Sequence, residues 1–304
     1  IGKHVYPGFI LPNTTLGLAD IDAVRATRDF DEVGDFNPHI RSISAYNTDS
    51  PIIPTVRKNG VLIGQITPRG GVLSGTSSIV EFDAWNFEDA VYKKDDGVHL
   101  NWPAEDHSLI DGSKKEEQYK ALEKEFNSIF SFFTEAKNYS LGGSKNIDLR
   151  LEAMIGVFDG STKLFIHAKT TKQIKRAVLF SKKFEIKNIV IVGANDAWRI
   201  ADFLAENNVP VILNRLHRLP LRSHEDLNQA YKGAKILHDA GVLYCLDYSG
   251  DMERMGSRNL PFTAGSSVSY GLSKEEALMS ITLSTAKILG IDSRLGSLEE
   301  GKDA

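Results

Sequence analysis

From about residue 160 onward, short apolar runs alternate with longer stretches whose apolar residues recur at helical spacing. Four runs are almost continuously apolar, at 163–168, 188–193, 209–213 and 242–246. Strands of this kind are buried on both faces, as in parallel sheets that are covered by helices. The pattern therefore predicts repeated βα units through the second half of the chain.

Two long helices are predicted from the sequences at their starts. The Ser-x-x-Glu sequence that begins at Ser273 is a capping box, and it predicts a helix that runs to Gly290, a residue suited to the position just after a helix end. The same signal at Ser113 predicts another helix that continues toward Lys137. The apolar stripe of this second helix favours packing against a core.

The first third of the chain is less regular. A strand is predicted at 61–67, and the segment 68–78, rich in Gly, Ser and Thr, is predicted as a loop. This loop is either a substrate-facing one, whose backbone amides bind an anion beside Arg69, or an ordinary tight connection. The segment 95–103 is predicted as a turn.

Repeated βα units over 304 residues fit either a (β/α)₈ barrel with insertions or an open doubly wound sheet. We expect a single domain over 1–304, with a long excursion near 83–145. Both architectures place functional groups directly after the strands. The candidate positions are therefore 13–15, 67–71, 167, 193–196, 214–218 and 247–251.

Composition narrows the classes of function. The 36 basic residues are outnumbered by 40 acidic ones, which argues against a nucleic-acid partner. The single cysteine, Cys245, excludes an intrachain disulfide and a cysteine-based zinc cluster. No apolar run approaches the roughly 18 residues of a membrane span, so we expect a soluble protein with no membrane partner. Because the chain does not begin with Met, we expect its native N-terminus to be absent, which leaves the cytoplasm and export as alternatives.

Both ends of the chain resemble the amidohydrolase superfamily. The sequence at 2–10 is similar to the G-K-x-V-x-P-G-x-I run that leads into the first barrel strand of that superfamily. Similar segments near the carboxyl end lie at 259–262, 270–273, 275–278, 281–283, 286–290 and 296–304. The likeness is closest to members related to imidazolonepropionase. It implies a TIM-like (β/α)₈ barrel whose accessory β-sandwich, built from both termini, is largely missing from this chain.

The resemblance also implies a divalent metal site, with zinc or manganese as the expected ion. In that family the ligands are a His-x-His motif after strand one, a carboxylate or modified lysine on strand four, histidines after strands five and six, and an aspartate after strand eight. Here Asn13 and Thr15 occupy the His-x-His positions, and both are weak ligands for zinc. We expect them to hydrogen-bond neighbouring backbone instead.

His167 matches the strand-five histidine of the family. At strand eight a gapless alignment places Ser249 at the position of the family's aspartate, and Asp247 lies two residues earlier on the same side of an extended segment. We therefore predict His167 as a metal ligand and catalytic residue and Asp247 as the general base. The alternatives are that His167 is a hydrogen-bonded structural residue and that Asp247 accepts from backbone amides of its loop.

Other expected ligands have no counterpart. No carboxylate is assigned to the fourth strand, and Asp196, after the sixth, is predicted to cap the following helix. The histidines without recognisable metal spacing are predicted to be structural or exposed. These are His4, His39, His99, His107 and His238.

A basic loop follows the seventh apolar strand. The segment 214–226 contains His217, Arg218 and Arg222, which we predict, together with Arg69, to bind an acidic group of a small-molecule substrate. The alternative is a solvated connection that forms salt bridges within itself.

Three hypotheses for function remain open. The first is a hydrolase of carbon–nitrogen bonds, in a cyclic amide or dipeptide-like substrate, with a degenerate metal site around His167 and Asp247. The second is a catalytically inactive pseudoenzyme that binds a ligand or pairs with an active paralogue or with a second copy of itself. The third is metal-independent chemistry by Asp247 with Arg218.

Overall fold

The computed structural model describes residues 2–105, 115–142, 146–250 and 252–303. Its strands form one eight-stranded sheet in which each strand lies beside the next one along the chain. The strands are β1 (Phe9–Thr14), β2 (Val61–Ile66), β3 (Leu73–Glu81), β4 (Val91–Asn101), β5 (Lys163–Ala168), β6 (Ile189–Gly193), β7 (Val211–Leu213) and β8 (Tyr244–Leu246). This is the predicted TIM-like barrel, and the open doubly wound sheet is excluded by the strand order.

Helices pack around the sheet. The α-helices of the described residues are α1 (Ile53–Arg57), α2 (Phe87–Ala90), α3 (Lys115–Ser140), α4 (Leu149–Glu152), α5 (Ile155–Asp159), α6 (Thr171–Phe184), α7 (Ala201–Glu206), α8 (Gln229–Asp239), α9 (Glu253–Gly256), α10 (Leu260–Val268), α11 (Lys274–Met279) and α12 (Leu283–Leu289). The long helix expected after Ser113 is α3, while Ser113 itself lies outside the described residues. No helix in the described parts of the chain is both long enough and apolar enough to cross a membrane.

One strand runs against the others. β1 and β2 are parallel, and β4 to β8 are parallel to one another, but β3 is antiparallel to both of its neighbours. The chain therefore passes from β2 through β3 to β4 as a meander, without a long helix between these strands. Both β4 and α3 lie within the region of the predicted excursion.

Two predictions for the first third of the chain are wrong. The predicted loop at 68–78 contains the first part of β3, and the predicted turn at 95–103 contains the end of β4. The cause is burial of polar residues, because positions 73–80 are all buried and their hydroxyl groups bond inside the protein. A Ser- and Thr-rich composition therefore does not mark a solvent-exposed loop here.

The seam between β8 and β1 is completed by a third segment. Leu246 of β8 donates its backbone N–H to the Ser280 carbonyl at 3.1 Å, and Ile10 of β1 donates to the Ile281 carbonyl at 2.9 Å. The helix predicted from Ser273 to Gly290 is consequently divided into α11 and α12, because the chain must leave the helical path to reach both strands. The predicted capping box and the left-handed Gly290 at the end of α12 are confirmed.

The interior of the barrel has an apolar end and a polar end. Ile10, Ile63, Phe165, Val190, Ile212 and Cys245 form an apolar layer that packs against residues of α12. Above that layer, the ring of Phe165 stacks on the imidazole of His99 with centroids 4.8 Å apart. Gly97 is required beneath this stack, because a Cβ there would lie 2.2 Å from the Phe165 ring. The sequence of β4 therefore places a histidine at the boundary between the two ends.

Candidate functional site

Polar side chains meet at the carboxyl end of the parallel strands, which we call the mouth of the barrel. Asn13 lies at the end of β1 in a left-handed conformation, with φ of 53°. Its amide nitrogen donates to Asp247 Oδ2 at 2.8 Å, and its amide oxygen accepts from Arg69 Nη1 at 2.7 Å. Asn13 thus joins a carboxylate that follows β8 to a guanidinium that follows β2.

Asp247 is completely buried just after β8. It accepts hydrogen bonds from the backbone N–H of Ser249 at 3.1 Å and from the Ser249 hydroxyl at 2.8 Å. Burial raises the pKa of Asp247 to about 6, although the bonds from Asn13 and Ser249 act in the opposite direction. The carboxyl group therefore changes its protonation state near neutral pH.

Thr15 points away from Asn13 toward the loop that follows β8. Both its backbone N–H and its hydroxyl donate to Glu253 Oε1, and the hydroxyl accepts from Arg254 Nη1 at 2.9 Å. The expectation that Asn13 and Thr15 bond neighbouring backbone is wrong, since their side chains bond other side chains. The difference arises because charged residues from distant parts of the chain reach the end of β1.

Arg69 carries the positive charge nearest to the end of β1. A second nitrogen of its guanidinium donates to the backbone carbonyl of Asn13 at 2.9 Å and lies 3.5 Å from Glu253 Oε2. The side chain of Arg69 is 23% exposed. The side chain is therefore only partly shielded from solvent.

His167 forms a pair with His99. Nε2 of His167 lies 2.9 Å from Nδ1 of His99, and Nε2 of His99 lies 2.9 Å from the Ser77 hydroxyl. Burial, followed by the charges of Arg69 and Lys169, lowers the pKa of His167 to about 3. Burial, followed by His167 and Arg69, lowers the pKa of His99 well below its ordinary value. Both imidazoles are therefore neutral at physiological pH.

A second set of buried polar groups connects these two parts of the mouth. Gln65 Oε1 accepts from the backbone N–H of Asn13 at 3.0 Å, and Gln65 Nε2 donates to Asp96 Oδ2 at 2.8 Å. The other oxygen of Asp96 accepts from Ser77 at 2.7 Å. Burial raises the pKa of Asp96, while the bonds from Ser77 and Gln65 oppose that rise. A continuous hydrogen-bonded network thus runs across the barrel.

Sequence reasoning missed four members of this network: Gln65, Ser77, Asp96 and His99. The prediction for His99 left a structural and an exposed position as alternatives, and His99 is fully buried and bonded to His167. The signal that was available is alternation, since Gly97 and His99 lie two residues apart on β4 and both face the interior.

The predicted substrate loop after β7 is bonded largely to the protein itself. Arg222 lies 2.7 Å from both Asp196 and Glu225. Burial opposes the ionisation of Glu225, but its hydrogen bonds from Arg199 and Arg222 outweigh burial and lower its pKa to about 2. The guanidinium of Arg222 is thus held by two carboxylates of the loop and of the end of β6.

The other predicted substrate-binding residues of this loop, His217 and Arg218, contact residues outside the network at the mouth. His217 is exposed and lies 2.7 Å from the Ser266 hydroxyl, and Arg218 donates to the Asn195 carbonyl at 3.4 Å. The prediction that Asp196 caps the next helix is wrong, since its side chain makes no capping bond there. Asp196 accepts from Arg222 instead, because a guanidinium offers two charge-assisted bonds.

The residues at the mouth do not fit the divalent metal that the resemblance implies. Within the described residues, no group of three or more His, Cys, Asp or Glu side chains could hold a metal ion. His99 and His167 are bonded to each other, Asp247 is bonded to Asn13 and Ser249, and the cationic Arg69 lies beside Asn13. The donor atoms that remain are too few for a zinc or manganese centre.

The eight-stranded barrel, with its polar residues at the carboxyl ends of parallel strands, defines a TIM-barrel protein with a functional site at the usual end. The sequence pattern of the amidohydrolase family matches residues 162–304. The chain is also 28% identical over 168 residues to amidohydrolase tasK of Hapsidospora irregularis, a match that covers 52% of this chain and 16% of that protein.

The structure agrees with these matches. It superposes on the crystal structure of an amidohydrolase from Thermotoga maritima MSB8 with a TM-score of 0.85 at 23% identity, covering 98% of this chain and 79% of the other. The family pattern over 162–304 supports the resemblance to the amidohydrolase superfamily, and the superposition shows the same fold. The closer relation to imidazolonepropionase stays a prediction.

Proposed function

We propose that this chain is an amidohydrolase-like barrel that binds a small polar molecule at its mouth and does not assemble the divalent metal centre of the family. The proposal corresponds to the pseudoenzyme hypothesis. The observation that carries it is the position of Asn13, whose amide bonds both Asp247 and Arg69 where the family has a metal-binding histidine.

Electrostatics support this proposal. The guanidinium of Arg69 lies within hydrogen-bond distance of the Asn13 amide oxygen, so it brings a permanent positive charge to the end of β1. Two like charges at about 4 Å repel each other by on the order of 1–4 kcal/mol per pair of unit charges near a protein surface, and a divalent ion doubles that cost. Arg69 therefore disfavours a cation at this position and favours polar or anionic groups.

A second candidate function is metal-independent hydrolysis of a carbon–nitrogen bond with Asp247 as the general base. One observation favours it: the pKa of Asp247, raised to about 6 by burial, lies in the range that suits proton transfer near neutral pH. The chain spans 16% of the length of the curated relative, so the activity in that protein's name is only a proposal for this chain.

Turnover assays separate the two candidates. Purified protein, with and without added zinc or manganese, is offered cyclic amides and dipeptides, and the release of amine is measured. We expect no turnover above that of the Asp247→Asn variant under either condition. Turnover without metal that disappears in Asp247→Asn would establish the second candidate, and turnover that requires metal would overturn both.

A further inference from the structure

The polar network contains a continuous series of hydrogen bonds in which the direction of donation can be followed from one residue to the next. The series starts at the backbone N–H of Asn13 and finishes at the imidazole of His167. Its members, in order, are Asn13, Gln65, Asp96, Ser77, His99 and His167. Because each contact needs one donor and one acceptor, the direction of donation at one end restricts the direction at the other.

The direction is set at Asn13. A backbone N–H can only donate, so the atom of Gln65 that faces it is the amide oxygen, at 3.0 Å. The amide nitrogen of Gln65 then faces Asp96 Oδ2 and donates to it at 2.8 Å. Asp96 therefore acts as an acceptor at this oxygen.

Ser77 transmits the direction to the histidines. The single hydroxyl proton of Ser77 is donated either to the other oxygen of Asp96 at 2.7 Å or to the Gly97 carbonyl at 3.2 Å. Ser77 can then only accept from His99 Nε2, which must carry the ring proton of His99. Nδ1 of His99 is consequently unprotonated and accepts from Nε2–H of His167.

The last atom of the chain is Nδ1 of His167. A neutral imidazole carries one proton, and that proton is on Nε2, so Nδ1 keeps a free lone pair. The only side-chain hydrogen bond of His167 within the described residues is the one to His99. His99 is fully buried, whereas His167 keeps part of its surface exposed.

We propose that this chain of hydrogen bonds fixes the tautomer of His167, so that the mouth presents an unprotonated Nδ1 as an acceptor for an N–H or O–H group of a ligand. The ligand is an uncharged small molecule that carries such a donor. Cations are disfavoured because Arg69 and Lys169 place positive charge close enough to act on the ring of His167. The choice of ligand rests on the proposed function, whereas the tautomer does not.

The tautomer is measured directly in the full chain labelled with ¹⁵N-histidine. Long-range ¹H–¹⁵N spectra distinguish protonated from unprotonated ring nitrogens, and the His167→Gln variant assigns the resonances. We expect His99 and His167 both to carry their proton on Nε2. A wild-type spectrum with the proton of His167 on Nδ1 would overturn the proposal without any further variant.

Removing the Ser77 hydroxyl tests the series of hydrogen bonds itself. In Ser77→Ala, His99 loses the acceptor that fixes its proton, so we expect both histidines to become mixtures of tautomers. Ser78→Ala is the matched control, because Ser78 is a buried neighbour on β3 whose hydroxyl accepts from the backbone N–H of Asp95 and takes no part in this series of hydrogen bonds. A single unchanged tautomer in a folded Ser77→Ala protein counts against the proposal.

Three small probes test the ligand class. Acetamide offers an uncharged N–H donor, acetate offers acceptors alone, and guanidinium offers donors with a positive charge. We expect acetamide to shift the Nδ1 resonance of His167, and acetate and guanidinium to leave it unchanged. If acetamide has no effect although the tautomer is as expected, the inferred ligand class is wrong, whereas the proposed absence of a metal centre is judged separately by turnover and metal content.

Discussion

The two halves of the barrel differ in strand direction and in the polarity of the residues that fill the interior. From β5 to β8 the strands are continuously apolar, parallel and matched by the amidohydrolase sequence pattern over 162–304. From β1 to β4 one strand is reversed, and Gln65, Ser77 and His99 fill the interior with polar groups. The second half supplies a regular frame, and the first half supplies most of the network at the mouth.

This difference explains what the sequence could predict. The strands of the second half were located to within two residues, because buried apolar runs between helices have few other interpretations. In the first half, the polar residues of β3 suggested a loop, since composition cannot distinguish a hydroxyl facing solvent from one bonded inside a barrel. The reversed strand was therefore not predicted.

The candidate site was predicted in part for a related reason. His167 and Asp247 are found by the rule that functional groups follow the strands, and the structure places both at the mouth. The partner of His167 is His99, 68 positions away, and Gln65 meets Asp96 across 31 positions. Such long-range pairs leave no periodic signal in one sequence.

The largest effect is expected from damage to the apolar frame. Ile212 of β7 is fully buried in the interior layer, so Ile212→Ala should lower the free energy of unfolding by about 2–5 kcal/mol. Urea denaturation followed by circular dichroism measures this loss. Leu179→Ala on the outer face of α6, where the side chain is 58% exposed, is the control and should change stability by less than about 0.5 kcal/mol.

A comparable loss of unfolding free energy is expected when one residue of the polar network in the first half is replaced. Gln65→Leu keeps the approximate volume but leaves the Asn13 N–H and one oxygen of Asp96 unpaired in the interior. Each of the two unpaired groups costs about 1–3 kcal/mol, so the total should reach roughly 2–6 kcal/mol in the same denaturation experiment. Wild-type stability in this variant would mean that the network contributes nothing to the fold.

His167 should contribute a measurable part of the loss of stability that the polar half shows in acid. Its pKa is lowered to about 3 in the folded chain, so between pH 6.5 and 3 the unfolded chain binds a proton that the folded chain does not. Stability therefore falls as pH falls through this window. From pH 6 to pH 4 the wild type should lose about 2–3 kcal/mol more than His167→Asn.

Asp247 provides the opposite sign in the same experiment. Its pKa is raised to about 6, so the folded chain binds more protons than the unfolded chain between pH 4 and 6, and this group favours folding as pH falls. Because Asp247 is present in both proteins, its contribution cancels in the difference. Parallel pH profiles for the wild type and His167→Asn would contradict the buried neutral imidazole.

The smallest effect is expected at an exposed ion pair of the second half. His238 lies 2.9 Å from Glu276, and both side chains are about one-third exposed or more. His238→Gln should change stability by less than about 1 kcal/mol, since exposed pairs are screened by water and salt. A larger loss of unfolding free energy in urea denaturation would show that an exposed ion pair contributes as much to stability as the buried interior does.

The central claim, that the mouth holds no divalent metal centre, is tested most directly by metal content at equilibrium. Wild-type protein and the His167→Gln variant are dialysed against zinc or manganese and analysed for bound metal per chain. The bonding of Asn13 to Asp247 and Arg69 predicts far less than one metal per chain, with no difference between the two proteins. One metal per wild-type chain that is lost in His167→Gln would contradict it.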